Sequence, residues 1–237
     1  LNTVIDEMIE NVYTNQAIMQ HPRFFAFVPS PATPLSWMGD VLTDSYNPHA
    51  GTWLESSSAS CLEQETIKWL CRQAGYHKTS SGLFVSGGSI ANLTALVAAR
   101  HAKLTEDEYA DGVAYLSEQT HFSAAKALRI MGLHSKQIRI IPCDDQFRMD
   151  TERLEKEISQ DIKAGKKPFL VAATAGTTNA GCIDPLHQIA DICEQYNLWF
   201  HVDGAYGASV LVSKEYRYLL DGISRADSIT WDAHKWL

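Results

Sequence analysis

The hydrophobic pattern of the chain changes near Gly82. After that point, short apolar runs of strand length alternate with longer segments whose apolar residues recur at helical spacing. The apolar runs are 82–86, 112–117, 137–142, 168–174, 198–203 and 227–231, and the helical segments are 89–103, 122–132, 151–164 and 185–196. Strands that alternate with helices are typical of right-handed βαβ units. The pattern therefore predicts an α/β fold with a mostly parallel sheet flanked by helices.

The first 75 residues have a different pattern, which predicts mostly helix. Helical spacing extends over residues 1–19, 35–45 and 60–74. Between the first two, the stretch HPRFFAFVPSPATP (21–34) contains four prolines and three phenylalanines, so it is predicted to be an aromatic loop. We therefore expect a helical N-terminal segment over 1–75 and an α/β domain over 76–237.

Composition narrows the range of partners and compartments. The net charge of −8 argues against a nucleic-acid or anionic-membrane surface, which needs clustered Lys and Arg. No apolar run approaches the roughly 20 residues of a membrane helix, and the acidic first residues do not resemble a signal peptide. The five cysteines are odd in number and include no C-x-x-C pair, which favours reduced thiols and a cytoplasmic location. Because the first residue is not Met, we expect the chain to be part of a longer one.

Ligands of open parallel sheets bind at the carboxyl ends of the strands, so the residues just after each apolar run are the first candidates. One candidate is VSGGS, where a strand is predicted to end at Ser86 and a helix to begin near Ser89. Glycines such as Gly88 let the backbone approach an anion, and a helix N-terminus offers free N–H groups. The stretch matches neither a Walker A loop nor G-x-G-x-x-G. The alternative is an ordinary turn with Ser89 as the helix N-cap.

Two further strand ends carry residues that suit either a ligand or the protein interior. His121 follows one strand and opens a helix, where it could cap the helix, pack in the core or stack on a flat ring. Thr177 and Thr178 lie in a loop after another strand, where they could bind a ligand or hydrogen-bond the loop backbone. Neither position decides the function by itself.

The last two strand ends carry charged residues. Asp203 ends a strongly apolar run, and a buried carboxylate is costly unless it is paired. Its partner could be an Arg, a metal or a protonated ring nitrogen, but no second carboxylate or His lies at metal-ligand spacing, so we expect no metal. Lys235 follows the final run in the sequence DAHK. A lysine among aromatic residues can act as an amine nucleophile, although a single lysine is more commonly a surface charge.

Considered together, these positions indicate one cofactor. They provide an anion cradle, a residue able to stack on a ring, a carboxylate suited to a cationic ring and a lysine suited to an aldehyde. Pyridoxal 5'-phosphate has those four features: a phosphate, a ring face, a pyridinium nitrogen and an aldehyde. The combination therefore predicts a pyridoxal phosphate site at the carboxyl edge of the sheet.

The chain resembles the group II pyridoxal-phosphate-dependent amino-acid decarboxylases, the aromatic-amino-acid and glutamate type, over essentially its whole length. The stretches that carry the resemblance are SGGSIANLTAL, QTHFSAAKALR, TAGTTNAGCIDPL, HVDGAYGAS and DSITWDAHKWL, in family order and spacing. Within the family, HPRFFAFVPSPA and SYNPHAG look most like the bacterial tryptophan decarboxylases. The resemblance implies an aspartate-aminotransferase-like (fold type I) large domain over 76–237. We expect this domain to be truncated here, just after the lysine that would form the Schiff base.

The resemblance also implies roles for individual residues. Lys235 would bind the cofactor aldehyde, Asp203 would pair with the pyridine nitrogen, and His121 would stack on the ring. The other cofactor-binding residues implied are Gly88, Ser89, Thr178, Ala205, Ser228 and His234. Those implied to line the substrate pocket are Phe27, Val28, Pro29 and His49.

The implied activity is decarboxylation of an aromatic L-amino acid, tryptophan or tyrosine/DOPA, to the amine and CO₂, in a cytoplasmic homodimer. An aldehyde-forming reaction or transamination on the same cofactor, a glutamate-type substrate, and a non-catalytic family member are the alternatives. The family continues beyond the lysine with a mobile loop, which carries a tyrosine thought to protonate the product, and a small domain. We expect these parts to be needed for full activity.

Overall fold

A computed structural model describes residues 1–28 and 30–237 of the chain. These residues form two compact units, Leu1–Asn47 and Pro48–Leu237. Pro29, for which the resemblance implies a place in the substrate pocket, lies outside the described residues. The boundary that the sequence predicts after residue 75 falls inside the second unit and stays a prediction.

The first unit contains two helices, α1 (Asn2–Asn11) and α2 (Pro34–Tyr46). Helix α2 begins at a capping box, in which Thr33 and Ser36 each accept the other's backbone N–H, and Pro34 occupies its first turn. Helix α1 ends well before residue 19, where the sequence pattern places its end. The reason is local, because the side chains of Thr14 and Asn15 donate to the carbonyl of Glu10 and so compete with a further helical turn.

The second unit is built on a parallel sheet in the order β2-β1-β3-β4-β5. The strands are β1 (Gly112–Ser117), β2 (Ile138–Ile141), β3 (Lys167–Thr174), β4 (Trp199–Asp203) and β5 (Ser228–Thr230). The helices are α3 (Ser57–Gln73), α4 (Gly88–Lys103), α5 (Phe122–Ile130), α6 (Thr151–Lys163), α7 (Leu186–Gln195) and α8 (Ala233–Trp236). The alternation of strands and helices predicted from the sequence is confirmed.

Apolar side chains cover both faces of this sheet. Along β3, Val171 and Ala173 pack with residues of α6 and α7, whereas Leu170 and Ala172 pack with residues of α4 and α5. A sheet that is buried on both faces requires apolar residues at successive positions. This requirement explains why the strands appear in the sequence as continuous hydrophobic runs.

One predicted strand, 82–86, does not form. Leu83 and Phe84 are exposed, and the Phe84 N–H donates to the Glu63 carboxylate at 2.8 Å. A strand needs a neighbour for its backbone groups. Within the described residues, β5 forms one edge of the sheet, and the segments 81–88 and 227–234 both line a cavity of about 800 Å³. The segment 82–86 therefore has no strand to pair with.

No helix in the described part of the chain combines the length and the apolar character needed to cross a membrane.

Two of the Arg–Asp pairs among the described residues differ in burial, and we expect them to differ in their effect on stability. Arg139 donates from Nε to Asp161 Oδ2 at 2.9 Å, and the same oxygen accepts the buried Tyr115 hydroxyl at 2.9 Å. Asp161 is only 6% exposed, so Arg139→Met leaves a buried carboxylate without its cation. We expect this change to lower the free energy of unfolding by about 3 kcal/mol, measured by urea denaturation.

Arg148→Met is the matched control. Arg148 Nη2 lies 2.7 Å from Asp144 Oδ2, but the side chains of both residues are about a third or more exposed. Solvent screens such a pair, so its loss should cost less than about 1 kcal/mol. Equal losses in the two variants would contradict the role assigned to burial.

Candidate active site

The carboxyl ends of three neighbouring strands place polar residues side by side. Thr174 at the end of β3 is paired in register with Asp203 at the end of β4, which is paired in turn with Thr230 at the end of β5. These three residues lie on the sheet face that α4 and α5 cover. The Thr174 hydroxyl is buried and has no hydrogen-bond partner among the described residues. The predicted edge thus carries both a carboxylate and a free hydroxyl.

Asp203 is a buried carboxylate held by neutral donors. It is 5% exposed. Its Oδ1 accepts the Ala205 N–H at 3.1 Å, and its Oδ2 accepts the Asn92 side-chain amide at 2.9 Å. Among the described residues no Lys, Arg or His lies within ion-pair distance of it. A charge buried in this way favours a cationic ligand.

The N-terminus of α4 lies next to this edge. A Cβ atom added to Gly88 would lie 3.7 Å from Ala205 Cβ and 3.9 Å from Asp232 Oδ2, so the loops after β4 and β5 both approach it. Gly87 caps the helix with a φ of +143°, which favours glycine, and no side chain caps α4. Its first N–H groups are therefore free for an anion. Ser89, the next residue, is exposed and lies within the helix rather than at its cap.

His121 is the N-cap of α5. Its Nδ1 lies 2.8 Å from the Ser123 hydroxyl and 3.4 Å from the Ser123 N–H, so two donors converge on one ring nitrogen. The ring is half-buried and lies 4.2 Å from the Phe122 ring, centroid to centroid. The capping role weighed from the sequence is therefore present. It leaves Nε2 without a hydrogen-bond partner among the described residues, while Phe122 packs beside the ring.

The two threonines of the loop after β3 differ in their surroundings. The buried Thr177 accepts the Cys182 N–H on its hydroxyl at 3.1 Å and exchanges two backbone hydrogen bonds with Gly181 and Cys182. Thr178 is exposed. Thr177 thus closes the loop, while Thr178 can contact a ligand.

Lys235 lies on the short helix α8, which is tied to the loop after β4. The Trp236 indole N–H donates to the Tyr206 carbonyl, and their rings lie 5.3 Å apart. The Asp232 carboxylate caps the helix by accepting the His234 N–H at 3.1 Å. Lys235 is half-buried and His234 is exposed. These contacts fix the helix that carries Lys235. The same helix begins at Asp232, whose carboxylate approaches Gly88.

The hydroxyl of Ser228 is engaged inside the sheet. It lies at the amino end of β5, opposite His201. Its Oγ accepts the Trp199 indole N–H at 2.8 Å and lies 2.9 Å from His201 Nδ1. The cofactor-binding role that the resemblance implies for Ser228 stays a prediction, and in the structure its hydroxyl contacts Trp199 and His201.

The predicted pocket residues that the structure describes fall in both units. In the first, Phe27 is 89% exposed with a φ of +63°, and Val28 is half-buried. In the second, His49 Nδ1 lies 3.0 Å from the Glu55 carboxylate, and both side chains are largely exposed. Their role in substrate binding stays a prediction.

Asn92 is the site residue that sequence reasoning missed. It lies on α4, is 1% exposed and contacts the side chains of Ser123, His201, Asp203 and Thr230. A signal was available, because Asn92 shares one helical face with the buried residues Leu96 and Ala99. A polar residue on a buried face needs partners.

A comparison with known proteins identifies the family. The family model of the pyridoxal-dependent decarboxylase conserved domain matches residues 1–237. The chain belongs to the pyridoxal-dependent decarboxylase family. An aromatic-L-amino-acid decarboxylase of Bacillus atrophaeus is 44% identical over 227 residues, covering 96% of this chain and 47% of that protein. A cysteine sulfinic acid decarboxylase of Rattus norvegicus is 39% identical over 223 residues, covering 92% and 45%.

A solved structure extends the similarity to the fold. Catharanthus roseus tryptophan decarboxylase in complex with L-tryptophan aligns with a TM-score of 0.93 at 30% identity, covering 100% of this chain and 53% of that one. The predicted aspartate-aminotransferase-like (fold type I) large domain is thereby confirmed. The chain spans about half the length of the pyridoxal-dependent decarboxylases that it matches.

Proposed function

We propose that this chain carries the cofactor site of a pyridoxal-phosphate-dependent decarboxylase that converts an aromatic L-amino acid, tryptophan or tyrosine/DOPA, to its amine and CO₂. The observation that carries the proposal is the buried Asp203 carboxylate at the carboxyl edge of the sheet, which has no cation within ion-pair distance in the described part of the chain. A protonated pyridine nitrogen is the partner that the family's cofactor would bring.

The residues present fit that cofactor in three independent respects. Asp203 offers a buried negative charge to the ring nitrogen. The uncapped N-terminus of α4 at Gly88 offers backbone donors to the phosphate, next to Ala205. The hydrogen bonds of His121 use only Nδ1 and Phe122 packs beside its ring, which leaves the rest of the imidazole for the cofactor ring. In the described residues, no group of three or more His, Cys, Asp or Glu could hold a metal ion.

The chain's own residues would bind and orient the cofactor. The Lys235 amine would hold it covalently, and α8 would keep that amine close to the loop after β4. Ala205 would pack against one ring face while His121 covered the other. Thr178, Ser89 and His234 are exposed in the described chain and would contact the cofactor from the loop after β3, from α4 and from α8.

Asp203 would also control the chemistry. When bound, pyridoxal phosphate supplies an electron sink that accepts the electron pair left as CO₂ departs. Asp203 would keep a proton on the ring nitrogen, because a carboxylate that accepts the N–H hydrogen bond stabilises the positively charged form of the ring. His121 would limit tilting of the ring, since its imidazole is fixed to α5 through Ser123. Retention of Lys235, Asp203 and His121 speaks against a non-catalytic member.

An aromatic substrate is proposed over an acidic one. The similar Bacillus atrophaeus protein is named for aromatic amino acids, although the rat relative is named for cysteine sulfinic acid. The segment proposed to line the pocket supplies Phe24, Phe25, Phe27 and Val28, which suit a flat apolar ring. An acidic side chain requires an Arg fork or clustered donors, and Arg23 is the single Arg in this segment.

A competition assay on the full-length protein tests the substrate. We expect tryptophan to be consumed first among tryptophan, tyrosine, phenylalanine, dihydroxyphenylalanine, glutamate and cysteine sulfinate, with the amine as product by mass spectrometry. Phe27→Ala should raise the activation free energy obtained from kcat/KM for the preferred aromatic substrate by about 1–3 kcal/mol. A preference for glutamate or cysteine sulfinate would refute the pocket assignment. A preference for tyrosine would keep the aromatic class and reject only tryptophan as the substrate. An aldehyde product would refute the proposal that the enzyme forms an amine.

We also propose a homodimer in the cytoplasm. In the first unit, the apolar side chains of α1 and α2 are exposed, among them Ile5, Ile9, Trp37 and Val41, and a surface of this kind favours burial against another chain. Light scattering of the full-length protein should give twice the mass of one chain. A stable and active monomer would contradict the dimer.

A further inference from the structure

We infer that Asn92 is a positioning residue that orients both Asp203 and His121 through one buried, directional hydrogen-bond network. The inference rests on the proposed cofactor site, because it assigns a task to a residue beneath that site. Asn92 Nδ2 lies 2.9 Å from Asp203 Oδ2 and 3.0 Å from Ser123 Oγ, and Ser123 Oγ lies 2.8 Å from His121 Nδ1. One side chain thus connects the residues proposed for the ring nitrogen and for the ring face.

The orientation of the Asn92 amide is determined by its neighbours. Its two donors face Asp203 and Ser123, and its oxygen accepts from Thr230 Oγ1 at 2.7 Å and faces His201 Nε2 at 3.1 Å. An ionised carboxylate can only accept. A flipped amide would place its oxygen against the Asp203 oxygen, so only the orientation with Nδ2 towards Asp203 satisfies every group.

The other end of the network has an equally fixed direction. The Trp199 indole can only donate, and it donates to Ser228 Oγ at 2.8 Å. The Ser228 hydroxyl can then donate to His201 Nδ1, 2.9 Å away. His201 Nε2 must carry the proton, because it faces the Asn92 oxygen. A donor-only group at one end and an acceptor-only group at the other leave one arrangement of hydrogens between them.

His201 keeps this arrangement across the neutral pH range. It is fully buried, and burial lowers the pKa of its imidazole to about 4, against the opposing attraction of Asp203. A neutral His201 has one donor and one acceptor nitrogen, as the network requires. The donors to Asp203 in the network are neutral groups, so no cation of the network competes with a ligand for its carboxylate.

The second branch assigns the proton of His121. Ser123 Oγ accepts from Asn92, so its hydroxyl hydrogen is free to donate to His121 Nδ1. The Ser123 N–H approaches the same nitrogen at 3.4 Å. The proton of neutral His121 is therefore on Nε2, on the side of the ring away from the network. Asn92 thereby sets the direction of the Asp203 carboxylate and the tautomer of the His121 ring.

The decisive experiment records two-bond ¹H–¹⁵N spectra of the cofactor-free, full-length protein labelled with ¹⁵N-histidine, with His121→Gln and His201→Gln for assignment. We expect the Nε2–H tautomer at both His121 and His201. Asn92→Leu and Ser123→Ala should each convert His121 to an exchanging mixture of tautomers. Thr230→Val is the matched control, because it removes one donor to Asn92 and leaves both branches in place, so the His121 tautomer should not change.

Addition of pyridoxal phosphate provides the second readout. Asn92→Leu should weaken its binding, followed by visible absorbance, about 10- to 100-fold, the range for a lost hydrogen bond to a charged group. If Asn92→Leu fails to fold, Ser123→Ala decides the matter through the His121 tautomer. An Nδ1–H proton on His121 in the unmodified protein, or unchanged tautomers in both folded variants, would overturn the inference. If the unmodified protein fails to bind pyridoxal phosphate, the proposed function fails while the tautomer result still decides the network.

Discussion

Replacing Lys235 by alanine in the full-length protein is expected to abolish covalent attachment of pyridoxal phosphate and to lower decarboxylation by about 10³-fold or more, the scale for loss of a nucleophile that acts together with other groups. The amine is the only proposed group that forms a bond to the cofactor. The phosphate donors at the α4 N-terminus and the Asp203 carboxylate remain in the variant, so we expect non-covalent binding to persist.

The position of Lys235 in the fold supports this expectation. The Trp236 indole fixes α8 to the Tyr206 carbonyl, and a Cβ added to Gly88 would lie 3.9 Å from Asp232, which caps the same helix. Lys235 is half-buried, whereas Lys126 and Lys214 are exposed. Lys126 and Lys214 therefore serve as control lysines when the site of cofactor attachment is mapped.

Borohydride reduction followed by peptide mapping measures the attachment. The pyridoxyl group should be found on the peptide that contains Lys235 in the unmodified protein and on no peptide of Lys235→Ala. Lys126→Ala and Lys214→Ala are the controls, and both should retain the label and the activity. A label on Lys126 or Lys214 in the unmodified protein would refute the assignment.

The strand ends were predictable because of how parallel sheets form. The central strands β1, β3 and β4 lie between covered faces, so apolar runs mark them, and the first polar residue after each run marks the ligand edge. Asp203 follows this rule directly, since it is the last residue of β4. The sequence predicted His121, Asp203 and Lys235 at or just after strand ends. In the structure His121 caps the helix after β1, Asp203 ends β4 and Lys235 lies on the helix after β5, and their roles remain proposals.

Two features were not predictable from local pattern. The run 82–86 has strand composition, but a strand also needs a partner, and partners are determined by the whole fold rather than by the run itself. The Asn92 network joins residues from α4, α5, β4 and β5 that are up to 138 positions apart in the chain. Hydrophobic periodicity shows that Asn92 faces the interior, but it does not show which side chains meet it there.

Asp203→Ala is expected to lower kcat/KM for decarboxylation by about 10²- to 10³-fold, while pyridoxal phosphate still binds through its phosphate. Removing one partner of a buried ion pair costs about 3–5 kcal/mol. Without the Asp203 carboxylate the protonated ring would be destabilised, and the reaction requires that protonated form. The proposed pair is well placed for this effect, because Asp203 is 5% exposed and has only neutral donors of its own, Asn92 and the Ala205 N–H.

Asp227→Asn is the matched control for Asp203→Ala, because Asp227 lies beside the same sheet but at the opposite end of β5. Its carboxylate accepts the Phe200 N–H at 2.8 Å, so the change perturbs a strand contact without touching the carboxyl edge. We expect Asp227→Asn to keep near-normal turnover, with both variants followed by CO₂ release and by cofactor absorbance. Near-normal turnover in Asp203→Ala would refute the electron-sink role. Equal losses in the two variants would instead indicate a general effect on the sheet, since only Asp203 has a buried charge that the ring nitrogen can neutralise.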